Sequence, residues 1–260
     1  MNDADIGLGG LALSGLLVAV TVAVSLWRHL GLERSVLWAC ARALGQLLLV
    51  GVALRLVVEP GRPLALAWLW VGVMIVFAAW TTQRRAPEVP GALPLALAAY
   101  LASAAVSLGV LFGFGVFELD GQTLVPLAGM MVGNSLAATV LTGRRIVSEA
   151  SEHRHLIEAR LALGLSASDA FAPHLRSALR TALIPQIETT KAVGIVFLPG
   201  AMVGLILAGV DPGDAVRVQI AVMYLVLGSV STTSTVMALG LTRRLFTPDQ
   251  RLVRLPRPAD

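Results

Sequence analysis

Charge is the scarcest feature of this chain. Only 14% of its 260 residues are Asp, Glu, Lys or Arg, 56% are hydrophobic, and the mean hydropathy is +0.79. Soluble domains carry about 25% charged residues, so the composition excludes an ordinary soluble fold and points to a membrane protein, with lipid as a partner. Lysine is almost missing: Lys191 stands alone beside 19 arginines. The net charge of +4 does not mark a nucleic-acid binder, because the basic residues fall between apolar runs rather than on one solvated face. Cysteine occurs once, at Cys40, which rules out a disulfide framework or a Cys-rich metal site within one chain. No Gly-x-x-x-x-Gly-Lys-Ser/Thr phosphate loop is present, so ATP hydrolysis of the P-loop kind cannot occur here, and no cofactor is expected on this chain. The last apolar run lacks the lysine that a retinal protein needs. No nucleophile–base pair or metal-ligand set marks an intramembrane enzyme. The N-terminus, MNDADIGLGG, carries Asp3 and Asp5 but no basic residue, so the first apolar run is expected to stay as a span rather than leave as a signal peptide.

What is abundant is apolar sequence in long runs. A membrane-crossing helix needs about 20 such residues. The runs predict an all-α membrane protein with seven spans at Ile6–Trp27, Ser35–Val58, Leu64–Thr82, Ala92–Phe117, Leu124–Thr142, Val193–Val210 and Ala215–Leu241. Every second connection is basic: RHLGLER, then QRRAPEVPG, then the long segment Gly143–Ala192, then a tail with Arg243, Arg244, Arg251, Arg254 and Arg257. The intervening connections hold Glu59 and Arg62, ELDGQ, and DPGD. Arginine and lysine resist translocation, which puts the N-terminus outside and the C-terminus in the cytoplasm.

The segment of about 50 residues between spans five and six is the one long cytoplasmic piece. Ile146, Ala150, Ile157 and Leu161 recur at helical spacing. Gly164 suits a helix C-cap, and Ser166 with Asp169 three residues later suits an N-cap and an acidic first turn. After Pro173, Leu175, Leu179 and Leu183 form one stripe, while Arg176 and Arg180 form another. The pattern predicts helix, glycine corner, short helix, then an amphipathic helix leading to Pro185. Two readings stay open: a linker lying on the membrane surface, or a knob, Leu165 to Phe171, that docks into a soluble partner with Phe171 as its aromatic anchor.

Specific motifs favour the knob. Glu158–Gly164, EARLALG, resembles the Glu-Ala-Ala-x-x-x-Gly loop by which ABC-transporter permeases contact their ATPase, with Arg160 at the third position and the following Leu-Pro displaced to Ile184–Pro185. RALGQLLLVG in span two, LVPLAGMMVGN in span five, and LGLSASDA with LRTALIPQIETTKAVGIVFLPGAMVGLILAGVDP are similar to the FetB-type permease family. That family comprises bacterial iron exporters and the membrane halves of plant aluminium-tolerance transporters. The resemblance implies a permease subunit of the bacterial inner membrane, paired as a homodimer and driven by ATP on a separate ATP-binding subunit. It implies metal export, and an ATPase-docking set of Glu158, Gly164, Leu165, Ser166, Ser168, Asp169 and Phe171. The plant relatives keep an organic solute or sugar nucleotide open as cargo. A stand-alone secondary transporter would call for an internal repeat or a mid-membrane acid, and neither is visible.

Polar groups within spans are costly and each needs a role. Arg42 and Gln46 are four apart on span two; they either snorkel and pack or line a translocation path. Met130, Met131, Asn134 and Ser135 cluster on span five, beside Gly129 and Gly133, with the same two roles open. The hydroxyl run Ser229–Thr235 in span seven reads first as helix packing. Glu188 and Lys191 are spaced for an ion pair at the entrance to span six, and Pro199–Gly200 should kink it. Four histidines, His29, His153, His155 and His174, all fall in predicted cytoplasmic segments. His153 and His155 point to different helix faces, so no metal cage can be assigned from spacing.

Overall fold

The computed structural model describes residues 8–58 and 62–253. The expectations resting on Asp3, Asp5, Ile6, Glu59, Arg254 and Arg257 lie outside the described residues. Those described form nine helices, in two compact units that divide at Arg62.

The first unit is a helical hairpin of α1 (Leu8–Trp27) and α2 (Glu33–Val58). Its turn is set by two left-handed residues, His29 at φ 54° and Gly31 at φ 67°. Ser25 fastens the turn, donating to Glu33 Oε1 at 2.6 Å and accepting from the Leu32 amide at 3.2 Å. Large apolar side chains such as Leu17, Trp38 and Leu47 are about 70% exposed (72%, 70% and 71%). In water that would be costly; toward lipid it is the expected outer face.

The second unit contains α3 (Leu64–Arg85), α4 (Ala92–Gly113), α5 (Gly121–Glu152), α6 (Arg154–Ala162), α7 (Ala167–Ala192), α8 (Gly200–Leu207) and α9 (Pro212–Leu245). Helix α4 passes through a π turn at Ala104–Leu108. Helices α5 and α9 form the centre, with α3 and α4 on one side and α7 packed against both. Close approach is secured at Gly143, where an added Cβ would meet Met237 Cε and Val89 Cγ2, both at 3.1 Å. Ser135 donates to Ser229 Oγ at 3.2 Å, and Ser103 donates to the Ser229 carbonyl at 3.4 Å, so the hydroxyl run of the last helix packs helices together.

Four described helices are long and apolar enough to cross a membrane: α3, α4, α5 and α9. The expected fifth and seventh spans are each part of a longer helix. Asp120 caps α5 by accepting from the Thr123 amide at 2.7 Å, and the helix then runs 32 residues, about 48 Å, well past a hydrocarbon core of about 30 Å. Its last ten residues project beyond the expected span as a rigid post.

The expected sixth span is not one helix. Residues 193–199 are irregular, with a bridge between Val193 and Phe197, and only the eight residues of α8 follow. Gly194 takes φ 88° within the break, Pro199 supplies a helix start without a donor to lose, and Gly209 takes φ 88° just after α8 ends. The short helix expected after Ser166 is also absent as a separate element. It is the first turn of α7, which continues for 26 residues through both Pro173 and Pro185.

Candidate functional site

The corner between α6 and α7 is built as its local sequence requires. Gly164 takes φ 86° after α6, with its amide donating to Leu161 O at 3.0 Å and the Leu165 amide donating to Arg160 O at 3.2 Å, a paired helix-ending arrangement. Ser166 then caps α7, accepting from the Asp169 amide at 3.2 Å while its hydroxyl donates to Asp169 Oδ2 at 2.6 Å. Leu163, Gly164, Leu165, Ser168 and Asp169 are exposed, Ser166 is half-buried, and Glu158 is exposed with its carboxylate 2.7 Å from Arg154 Nε.

Phe171 differs from expectation. It is fully buried, in edge contact with Phe246 (6.1 Å between ring centroids) and 5.8 Å from the His174 ring. It sits in a core with Ile146, Ala150, Ile157, Leu241 and Leu245. A residue with no exposed surface cannot be the anchor of an interface; Phe171 instead fastens the corner to the end of α9. The C-terminal segment adds polar ties. Arg154 donates to Leu252 O at 3.1 Å and Val253 O at 3.3 Å, and the Ala167 amide donates to Gln250 Oε1 at 3.0 Å. So the corner is not a free-standing knob but one face of a packed assembly of α5, α6, α7 and α9.

The candidate path residues fall in both units. Arg42 and Gln46 lie on α2 of the first unit, both exposed. In the second unit Met131 and Ser135 are fully buried, the one hydroxyl proton of Ser135 being shared between Met131 O at 2.7 Å and Ser229 Oγ, so these two pack. Met130 and Asn134 instead open on a cleft of about 310 Å³, joined there by Gln186, Thr189, Thr190, Gln219 and Met223, with Phe197 and Pro199 from the irregular stretch. Asn134 donates from Nδ2 to Met130 O at 2.7 Å, which turns its amide oxygen to the remaining hydrogen-bonding role. The hydroxyls of Thr189 and Thr190 donate to Pro185 O (2.9 Å) and Gln186 O (2.8 Å), leaving oxygen lone pairs free to accept. Gln219 is 6% exposed, and its Oε1 has no hydrogen-bond partner. The lining thus offers amide and hydroxyl oxygens and two thioethers, with no formal charge.

The cleft also joins residues of the expected fifth span to residues of the expected cytoplasmic segment. Asn134 is midway along the apolar part of α5, yet it shares the cleft with Gln186, Thr189 and Thr190, expected to be cytoplasmic. The second half of α7 therefore runs beside the apolar part of α5. Along this half Thr189 and Thr190 bond back to their own helix, and Lys191 Nζ lies 2.8 Å from Glu188 Oε1 with both side chains mostly exposed.

A second cluster lies where α5 leaves the apolar region. Glu149 is buried, and its Oε1 accepts from Arg145 Nη2 at 3.1 Å and from Ser177 Oγ at 3.0 Å. Its Oε2 faces His174 Nδ1 at 3.0 Å and His153 Nδ1 at 3.3 Å. Burial pushes the Glu149 carboxyl upward, but hydrogen bonds from His174 and Ser177 and the charges of Arg145 and His153 outweigh it and hold the group below its ordinary value. Sequence spacing could not find this cluster, since His174 comes from α7 and only the 25-residue return of the chain brings it to Glu149. Gln219 and Met223 escaped notice for a like reason: each is an isolated polar or thioether residue until α5 and α7 face it.

Long apolar helices, a lipid-compatible exterior and a polar cleft between helices define a multi-pass membrane protein of the permease class. The chain belongs to the family described as "Uncharacterised protein family (UPF0014)", whose profile matches residues 8–246. It is 36% identical over 250 residues to the Escherichia coli protein named "Probable iron export permease protein FetB", covering 95% of this chain and 94% of that one. It is 36% identical to the rice "UPF0014 membrane protein STAR2" over 85% of this chain and 77% of that one. Against the Arabidopsis "Protein ALUMINUM SENSITIVE 3" it is 30% identical, over 84% of this chain and 80% of the relative. No solved structure matches.

Proposed function

We propose that this chain is the membrane-spanning subunit of an ATP-driven exporter of metal ions, iron foremost, working in the bacterial inner membrane as a permease homodimer with a separate ATP-binding subunit. One observation carries the proposal: the helix that forms the exposed cytoplasmic corner is the helix that lines the cleft. Ser166 caps α7 at its cytoplasmic end, and Gln186, Thr189 and Thr190 face the cleft about six turns later on the same helix. A displacement applied at Leu165–Asp169 is thereby delivered to the cleft along a single helix. The similarity to the E. coli protein supplies iron as cargo and outward transport as direction.

The mechanism follows from these parts. The ATP-binding subunit grips the face formed by Leu163, Leu165, Ser168 and Asp169; its closure on ATP shifts α7 against α5 and α9; the irregular stretch 193–199 absorbs the change and re-exposes the cleft on the other side. Seven crossings, with the sixth composed of the second half of α7, the break and α8, keep the N-terminus outside and the C-terminus inside. Amide and thioether donors bind a metal weakly, which suits a site that must release its cargo. The uncharged lining also favours a second reading, export of a neutral polar organic solute.

Inverted membrane vesicles containing the chain and its ATP-binding subunit distinguish the two. ATP-dependent accumulation of Fe²⁺, lost in Asn134→Ala, is the expected result. Accumulation that needs no ATP, or that is unchanged in Asn134→Ala, would overturn the proposal.

A further inference from the structure

We propose that Glu149, His153 and His174 form a binding site for one divalent transition-metal ion on the cytoplasmic side, sharing no residue with the cleft. Among the described residues this is a group of His and carboxylate side chains able to surround an ion, their donor atoms all within 4.8 Å of one another. Two imidazole nitrogens and one carboxylate oxygen make a donor set suited to first-row ions such as Fe²⁺, Co²⁺ or Zn²⁺ rather than Ca²⁺ or Mg²⁺.

The geometry is prepared for that use. Donors bound to one ion at about 2.1 Å stand about 3.0–3.4 Å apart when they subtend roughly 90–110°. His174 Nδ1 and His153 Nδ1 lie 3.0 and 3.3 Å from the same oxygen, Glu149 Oε2. The other oxygen is already taken by Arg145 and Ser177, so the carboxylate is held for monodentate binding through Oε2, as outer-shell partners commonly arrange. His174 is buried and fixed, whereas His153 is half-buried at the junction of α5 and α6 and can close the remaining distance. The two rings are close, 4.8 Å between centroids and tilted by 35°. His174 Nε2, the ring nitrogen not turned to Glu149, has no hydrogen-bond partner among the described residues.

An ion here would clip α7 to the end of α5, one turn from Phe171 and the corner. The site makes that corner's rigidity respond to cytoplasmic metal, whether or not the chain carries metal through its cleft.

Co²⁺ titration of the full-length, untagged chain in detergent micelles tests this, with visible absorption and melting temperature as the two readouts. The expected result is one saturable equivalent with ligand-field bands and a rise in melting temperature on binding. His153→Ala should weaken binding at least tenfold and abolish the Co²⁺-induced rise while melting like wild type without metal. His155→Ala, at an exposed position two residues on, should bind as wild type. No saturable binding by the wild type, unchanged binding by His153→Ala, or a loss that follows His155 instead would overturn the assignment. None of these outcomes depends on transport, so failure here leaves the export proposal standing.

Discussion

At the residue scale, the informative side chains are polar ones whose bonding the fold leaves incomplete. A buried amide oxygen without a partner costs about 1–3 kcal/mol, so Gln219 is retained at an expense to stability. Replacing it by leucine removes the orphan at similar volume. The expected outcome is a Gln219→Leu protein that melts at the same temperature or higher in detergent but transports poorly in vesicles. Phe171 is the reverse case. Fully buried between Phe246 and His174, it should cost roughly 3–5 kcal/mol when cut to alanine, read as a lower melting temperature. Leu165, 40% exposed on the corner, should leave melting unchanged when replaced by aspartate.

Among the elements, α7 has the most to explain. It combines a capped N-terminal end, two internal prolines and a polar face on the cleft. Pro185 removes the amide that would bond Thr181 O and weakens the helix one residue before Gln186. Pro185→Ala should straighten and stiffen it. We expect a higher melting temperature with slower ATP-driven transport, because the lining residues then lose the set that the proline imposes. The cap of this element was readable in the sequence, since Ser166 with Asp169, like Gly164 at φ 86° ending α6, acts on its immediate neighbours. Its length was not. Pro173 and Pro185 looked like boundaries, yet packing against α5 and α9 carries the helix through both. The sixth span was misread for the opposite reason: apolar composition continues across 193–210, but hydropathy is blind to the backbone break between Gly194 and Pro199.

For the whole molecule, loop charge and apolar runs made the membrane class legible, and short motifs in order pointed to the family that residues 8–246 confirm. The candidate site was only half legible. Asn134 and Met130 stood out on one helix, while Gln186, Gln219 and Met223 become partners only through tertiary packing. Phe171 was conspicuous as the large aromatic of the corner, but composition cannot tell an anchor that faces a partner from one that faces the core. The central claim is that a separate ATPase drives this molecule by gripping the exposed corner of α7. The most direct measurement is the ATP-binding subunit retained per permease after co-expression and purification, for wild type beside Leu165→Asp. The predicted result is a stable complex with ATPase activity for the wild type, and at least tenfold less subunit on a variant that melts normally. A wild type that retains no ATP-binding subunit, or a Leu165→Asp complex as stable as the wild type, would contradict it.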